Sequence, residues 1–179
     1  MTRCIVRTPQ LARPLLWTRY QLQADVGGWL LAFCSVAESL TTSISVADIS
    51  YAGNPLVFVN EKFREVTGYS SADVLGRNCR LLQGPETSSA AVLAMKTKLR
   101  RGDDVFIRLT NFRKSSDTFE NLLCLRTVRD ASGKMRFCIG VSLQIDEGLE
   151  QVLALALPLS SLLTLTPTCG VAQRRRRRS

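Results

Sequence analysis

The chain contains no histidine. That absence removes the Ser-His and Cys-His pairs of nucleophilic catalysis. Its six cysteines, at positions 4, 34, 79, 124, 138 and 169, include no CxxC pair. A structural zinc site is therefore not expected, and scattered thiols in a chain of this length suit a reducing compartment better than a disulfide framework. No GxGxxG run occurs, so there is no fingerprint of a dinucleotide co-substrate for redox catalysis. Long apolar runs are also lacking. Val26 to Ala37 is mostly apolar, but it has 12 residues and is broken by Gly27 and Gly28, too short to span a bilayer. It reads as a cap on the folded part. Residues 1–24 have no acid and no serine, but carry Arg3, Arg7, Arg13 and Arg19. That composition is compatible with an organelle transit peptide or a terminal extension. The expected setting is intracellular: cytoplasm, nucleus or organelle.

What is present is enough for one ordinary domain with tails: 179 residues, 45% of them hydrophobic. The net charge of +9 sits mostly outside the middle. Between Glu38 and Glu147 there are 15 Lys/Arg against 13 Asp/Glu, whereas residues 1–37 carry +3 and residues 148–179 carry +4. A nearly neutral centre argues against nucleic-acid contact by the domain itself. The run Arg174 to Arg178 reads as a solvated tail or a basic address. Three regions follow: an extension or cap over 1–37, a domain over 38–146, and a C-terminal helix with a basic tail over 147–179. In the last, Leu149, Val152, Leu153, Ala156 and Leu157 fall at helical spacing before Pro158 ends the pattern.

The domain reads β-β-α-α-α-β-β-β. Ser43 to Ile49 and Leu56 to Val59 are strand-like, the second apolar throughout, as in a strand buried on both faces. Asn60 is an N-cap for a helix over Glu61 to Thr67, stopped at Gly68. Ser70 and Asp73 have capping-box spacing. Thr87 is a cap for a helix over Ser88 to Arg101, closed by Gly102. Asp104 to Lys114, Thr118 to Arg129 and Lys134 to Ile145 are strand-like runs joined by turn residues. This order predicts an α+β fold: an antiparallel sheet with helices on one face.

The stretch Gly76-Arg77-Asn78-Cys79-Arg80-Leu81-Leu82-Gln83 sets a thiol beside an arginine and two amides. A free cysteine alone reads more simply as a small hydrophobe. On a helical turn, Cys79 and Gln83 would share a side and so would Asn78 and Leu82. Together with Gly84 to Thr87, this stretch resembles the signature of the LOV domain, the flavin-binding blue-light sensor branch of the PAS family, which usually has Phe at Leu81. Asn111 to Lys114, Phe119 to Leu123 and Ile139 to Val141 resemble three further LOV blocks in the right order. The likeness runs from Ser39 to Asp146.

The resemblance implies a five-stranded PAS sheet and helices enclosing a pocket for flavin mononucleotide (FMN). It makes Cys79 the nucleophile of a reversible photoadduct at the flavin C4a carbon. It places Arg80 and Lys96 at the phosphate, and Gln83 at the ribityl chain with Asn54, Asn78 and Val92 nearby. Asn111 and Asn121 fall at the pyrimidine edge, whose alternating acceptors and donor suit amides. Phe63, Leu123, Cys138 and Gly140 would line the ring, with Ser142 at its N5 edge. Three departures stand out. Lys96 replaces an arginine and lacks its bidentate fork. Ser142 stands where the family has glutamine, with Gln144 one pleat further on. Glu120, on the outer face by alternation, replaces a tryptophan. The expected role is sensing, not enzymatic, with output through the tails, a homodimer or a separate effector. The alternative is a PAS binding or dimerisation module with impaired photochemistry.

Overall fold

A computed structural model describes residues 16–21, 24–130 and 132–145. Five strands and four helices are defined: α1 (Ala24–Glu38), β1 (Ser43–Asp48), β2 (Leu56–Val59), α2 (Glu61–Thr67), α3 (Ser71–Val74), α4 (Ser89–Arg101), β3 (Val105–Phe112), β4 (Thr118–Arg129) and β5 (Met135–Gln144), with a 3₁₀ turn over Cys79–Leu82. The strands form one sheet in the order β2-β1-β5-β4-β3, and every neighbouring pair is antiparallel. This is the α+β architecture expected from the order of elements. The predicted C-terminal helix and the Arg174 to Arg178 run lie outside the described residues, as do Arg3, Arg7 and Arg13.

The sheet separates two apolar cores. Alternation sends Ile44, Val46 and Phe137 to the outer face, where they meet Leu30, Cys34 and Ala37 of α1. Those three α1 residues have spacings of four and three, one stripe of a helix. On the inner face, Leu56 and Val59 meet Phe63 of α2, Val74 of α3 and Leu82 of the 3₁₀ turn. Strand β2 supplies both cores, with Val57 and Phe58 in the outer one, which explains its unbroken apolar run. So α2 and α3 cover one face as expected, while α1 caps the other.

Asn60 joins these layers and is fully buried. Its Oδ1 accepts from Phe63 N (3.0 Å), capping α2, and from Ile44 N (2.8 Å) in β1. Its Nδ2 donates to Ala37 O (3.0 Å) at the end of α1 and to Thr42 O (2.8 Å). One amide therefore satisfies groups on α1, β1 and α2 that water cannot reach. Asn60→Ala leaves those buried groups without partners and removes a helix cap. The expected destabilisation is roughly 3 kcal/mol, read from urea unfolding. A loss below about 1 kcal/mol would mean that the amide is replaceable.

Candidate functional site

The turn bearing Cys79 is anchored at its base. Gly76 has φ 82°, a left-handed conformation that favours glycine. Its N–H donates to Leu56 O (2.8 Å), and Leu56 N donates to Arg77 O (2.8 Å). Asn78 then caps the 3₁₀ turn: its Oδ1 accepts from Arg80 N (3.0 Å), and its Nδ2 donates to Gly53 O (2.6 Å) and Asn54 O (3.4 Å). The amide of Asn78 thus builds the turn. Asn54 meets it through its backbone, with an exposed side chain and φ 49°. The helical-turn expectation needs correcting here. A 3₁₀ turn has about three residues per turn, so Cys79 shares a side with Leu82, and Gln83 leaves in an extended conformation. Leu82 is buried, and Cys79 packs against the inner core beside it. Burial pushes the Cys79 thiol up to about 11.

The sheet supplies the opposite wall. Register pairs Leu109 with Asn121, Asn111 with Phe119 and Leu123 with Ser142. Asn111, Asn121, Leu123, Cys138, Gly140 and Ser142 therefore share the inner face. Asn111 and Asn121 are buried at 4% and 2% exposure. Asn121 Nδ2 donates to Asn111 Oδ1 (2.8 Å) and reaches Ser142 Oγ at 3.4 Å, while Asn111 Nδ2 donates to Leu82 O (3.2 Å). The oxygen of Asn121 is buried and accepts from nothing. Such an orphan costs about 1–3 kcal/mol unless a donor meets it, so it marks where a ligand N–H fits. Phe63 and Cys138 are buried on this side, and the Cys138 thiol is pushed up to about 12 by burial, with Cys79 a nearby contributor. Leu123, in mid-sheet, keeps partial exposure, as apolar surface facing incompletely filled space would. At Gly140, a Cβ would come within 2.8 Å of Ser45 Oγ and 3.2 Å of Leu125 Cδ2. Its missing side chain makes room for neighbouring strands.

Beside this wall lies an open cleft of about 380 Å³, lined by Gln83, Thr87, Val92, Leu93 and Lys96 among others. Gln83, Val92 and Lys96 thus come together as expected. Lys96 and Arg80 are both exposed, though Arg80 is not part of the cleft lining. Thr87 does not cap α4. Ser88 does, its hydroxyl accepting from Ala91 N, while Thr87 Oγ1 accepts from Gly84 N (3.0 Å) and donates to Thr110 O (2.6 Å). The cleft floor is thereby tied to β3. Gln144 stands opposite Asn121 in the β4–β5 register, but its side chain is exposed and accepts from Arg113 Nη2 (2.9 Å). Glu120 is held on the outer face by Arg108 (2.8 Å) and Thr110 (2.6 Å). The carbonyl of Leu82 and the side chain of Ser45 also take part, although an apolar residue and a strand serine announced nothing in the sequence.

A sheet with a buried amide pair on one face, and a thiol-bearing turn packed against that face, defines a PAS-type sensor module. A PAS domain description matches residues 45–146, more than half of the chain. Phototropin-2 of Oryza sativa subsp. japonica is 31% identical over 75% of this chain and 15% of its own length. Blue-light-activated histidine kinase 2 of Erythrobacter litoralis is 38% identical over 61% of this chain and 31% of its own. Among solved structures, the LOV domain of an Erythrobacter litoralis blue-light activated histidine kinase is 35% identical, with a TM-score of 0.58, covering 60% of this chain and 99% of that one. The light-state Aureochrome1 LOV is 33% identical, with a TM-score of 0.59, covering 67% and 93%. The chain belongs to the PAS family and, within it, is a LOV domain of the blue-light photoreceptor type. It spans only a small part of the curated relatives it matches.

The state of the thiol can be tested directly. The ordinary cysteine value is about 9, and the folded value of Cys79 lies above it. Burial therefore contributes stability that is fully present below pH 9 and lost as the pH rises towards 11. Cys34 and Cys138 move in the same direction. At pH 8, a thiol that titrates near 11 rather than 9 holds about 100-fold less thiolate than a free one. Alkylation of Cys79 by iodoacetamide at pH 8, followed by mass spectrometry, should be slower by at least that factor. A rate near that of a free thiol would overturn the neutral, core-packed assignment.

Proposed function

We propose that this chain senses blue light with FMN held between the inner sheet face and the Cys79 turn, and that Cys79 is the photoreactive thiol. What carries the reading is the donorless oxygen of Asn121 on the same inner face against which a neutral thiol packs. The residues suit the cofactor. Asn121 has an acceptor to offer the ring N–H, and the buried amides can meet the flanking carbonyls once they exchange partners. Phe63, Leu123 and Cys138 provide apolar lining. Gln83 in the cleft suits the hydroxylated chain. Arg80 and Lys96 make no ion pair with any described residue, and the phosphate would neutralise both.

When bound, flavin supplies absorption of blue light and an electrophilic ring carbon. Cys79 does the rest. With flavin bound, Cys79 Sγ would be the nucleophile toward that carbon and its thiol the source of the proton for the adjacent ring nitrogen, both returned in the dark. A thiol held neutral keeps its proton available for this step. The turn holds Cys79 on its wall through Asn78, and the core around Leu82 excludes water. Ser142 Oγ, 3.4 Å from Asn121 Nδ2, would face the edge that gains the proton; its hydroxyl can donate or accept but is too short to swap ends as an amide does. The role is sensory, with output through the termini, a second copy or a separate effector.

Cys79→Ala should bind FMN as the parent does and lose reversible bleaching of the blue absorption band. A variant that still bleaches and recovers would remove Cys79 from the chemistry. For the phosphate, Arg80→Ala combined with Lys96→Ala should weaken FMN binding by roughly 10- to 100-fold, on the order of two modest charge-assisted contacts. Riboflavin should bind parent and variant alike, and an equal loss for both ligands would place the two cations elsewhere.

A further inference from the structure

Strand β1 turns two serines to the inner face, and the functional reading makes no use of them. Ile44 and Val46 belong to the outer core, so alternation sends Ser43 and Ser45 inward. They are buried, at 3% and 9% exposure, and neither hydroxyl has a hydrogen-bond partner among the described residues. A buried hydroxyl left alone costs about 1–3 kcal/mol, so two on one strand face call for something polar to meet them. Register sets Ser43 opposite Ser142 and Ser45 opposite Gly140. Ser142 Oγ accepts from Asn121 Nδ2 at 3.4 Å, but its own proton has no acceptor among the described residues. Three hydroxyls thus gather where β1 meets β5. Ser142 is partly exposed, and Leu143 and Gln144 after it are exposed, so the group opens towards solvent at that end of β5.

We propose that Ser43, Ser45 and Ser142 hold an ordered water on the inner face, and that this water carries the proton in the dark return. The inference rests on the role of Cys79 given above. Side chains directly opposite in a sheet have Cβ atoms about 5 Å apart, a gap that one water bridges with a hydrogen bond to each hydroxyl. Each hydroxyl can donate once and accept twice, so the three supply the partners that a buried water needs. On the return, Cys79 Sγ leaves the ring carbon with the bonding electron pair and regains a proton, while the proton on the adjacent ring nitrogen has to leave. Charge and electrons balance with no oxidant or reductant. The chain has no histidine to take that proton, and Glu120, the one acid in β3, β4 and β5, points outward to Arg108. Water held by hydroxyls is the base that this face can offer. Ser142 joins it to the exposed end of β5.

The experiment uses the full chain loaded with FMN. A crystal structure of the dark protein should show a water within about 3.2 Å of both Ser43 Oγ and Ser142 Oγ. Ser43→Val combined with Ser45→Val removes both β1 hydroxyls. Ser43→Thr combined with Ser45→Thr has the same size and keeps them. The valine pair should bleach to the same extent as the parent, recover about tenfold or more slowly, and lack that water in its own crystal structure. The threonine pair should recover close to the parent rate. Where the valine pair does not hold FMN, Ser43→Val against Ser43→Thr gives the same comparison. A valine pair that recovers at the parent rate overturns the relay and leaves the role of Cys79 standing. Equal slowing in the threonine pair makes packing the cause and also overturns the relay. A dark structure with no water between Ser43 and Ser142 overturns the site. Absence of bleaching in the parent overturns both readings.

Discussion

Everything at the site depends on the register of β3, β4 and β5. Side chains alternate across a strand, so a slip of one residue would exchange the two faces. In the register observed, Asn111 and Asn121 point inward beside Leu123, while Glu120 points outward to Arg108. Shifting β4 by one position would bury the carboxylate of Glu120 in the inner core and expose both amides' partners. Two features oppose that slip. The outer pair Arg108–Glu120, reinforced by Thr110, has good geometry. The inner amides are bonded to each other and to Leu82 O. Neither pair contributes much on its own, but each makes the wrong register cost a buried unpaired group.

That register also explains why two asparagines survive buried on the inner face. A buried amide must find partners, and these two find all but one within the protein. The remaining oxygen is left on the inner face, beside Leu123 and Ser142. A core built for stability alone would have closed this space with leucine or phenylalanine. The partial exposure of Leu123 and the raised thiol of Cys79 describe the same surface from its two walls: apolar, poorly hydrated and incompletely filled.

Much of this was legible in the residues. The caps at Asn60 and Ser70 and the stops at Gly68 and Gly102 read correctly because cap chemistry is local. The inward pairing of Asn111 and Asn121 followed from strand alternation across a short hairpin. Where the reading failed, competition between neighbours decided the outcome. Thr87 and Ser88 are both good caps; Ser88 took the helix because Thr87 was already bound to Gly84 and Thr110. The helical turn at Cys79 tightened to 3₁₀ because the side chain of Asn78 claimed Arg80 N at its start. At Gly140, a Cβ would meet Ser45 and Leu125 of the two neighbouring strands, a long-range contact that no local pattern encodes. Trp17 gave no signal either. Its indole lies against Gly76, and a glycine offers only the absence of a side chain.

A small chemical change on the inner face needs a compliant element to be felt elsewhere. Sheets transmit displacement poorly across a fully bonded interior, since each strand is held on both sides. Strand β2 differs because it stands at the end of the strand order, next only to β1. Its backbone atoms are shared among β1, the base of the Cys79 turn and Trp17. It therefore touches the base of the Cys79 turn, both apolar cores and Trp17 at once. The hydrogen bonds at Leu56 join β2 directly to Gly76 and Arg77, at the base of the Cys79 turn. An edge strand is ordinarily a liability to be covered; here the cover is made by the segment bearing Trp17 and by the base of the Cys79 turn.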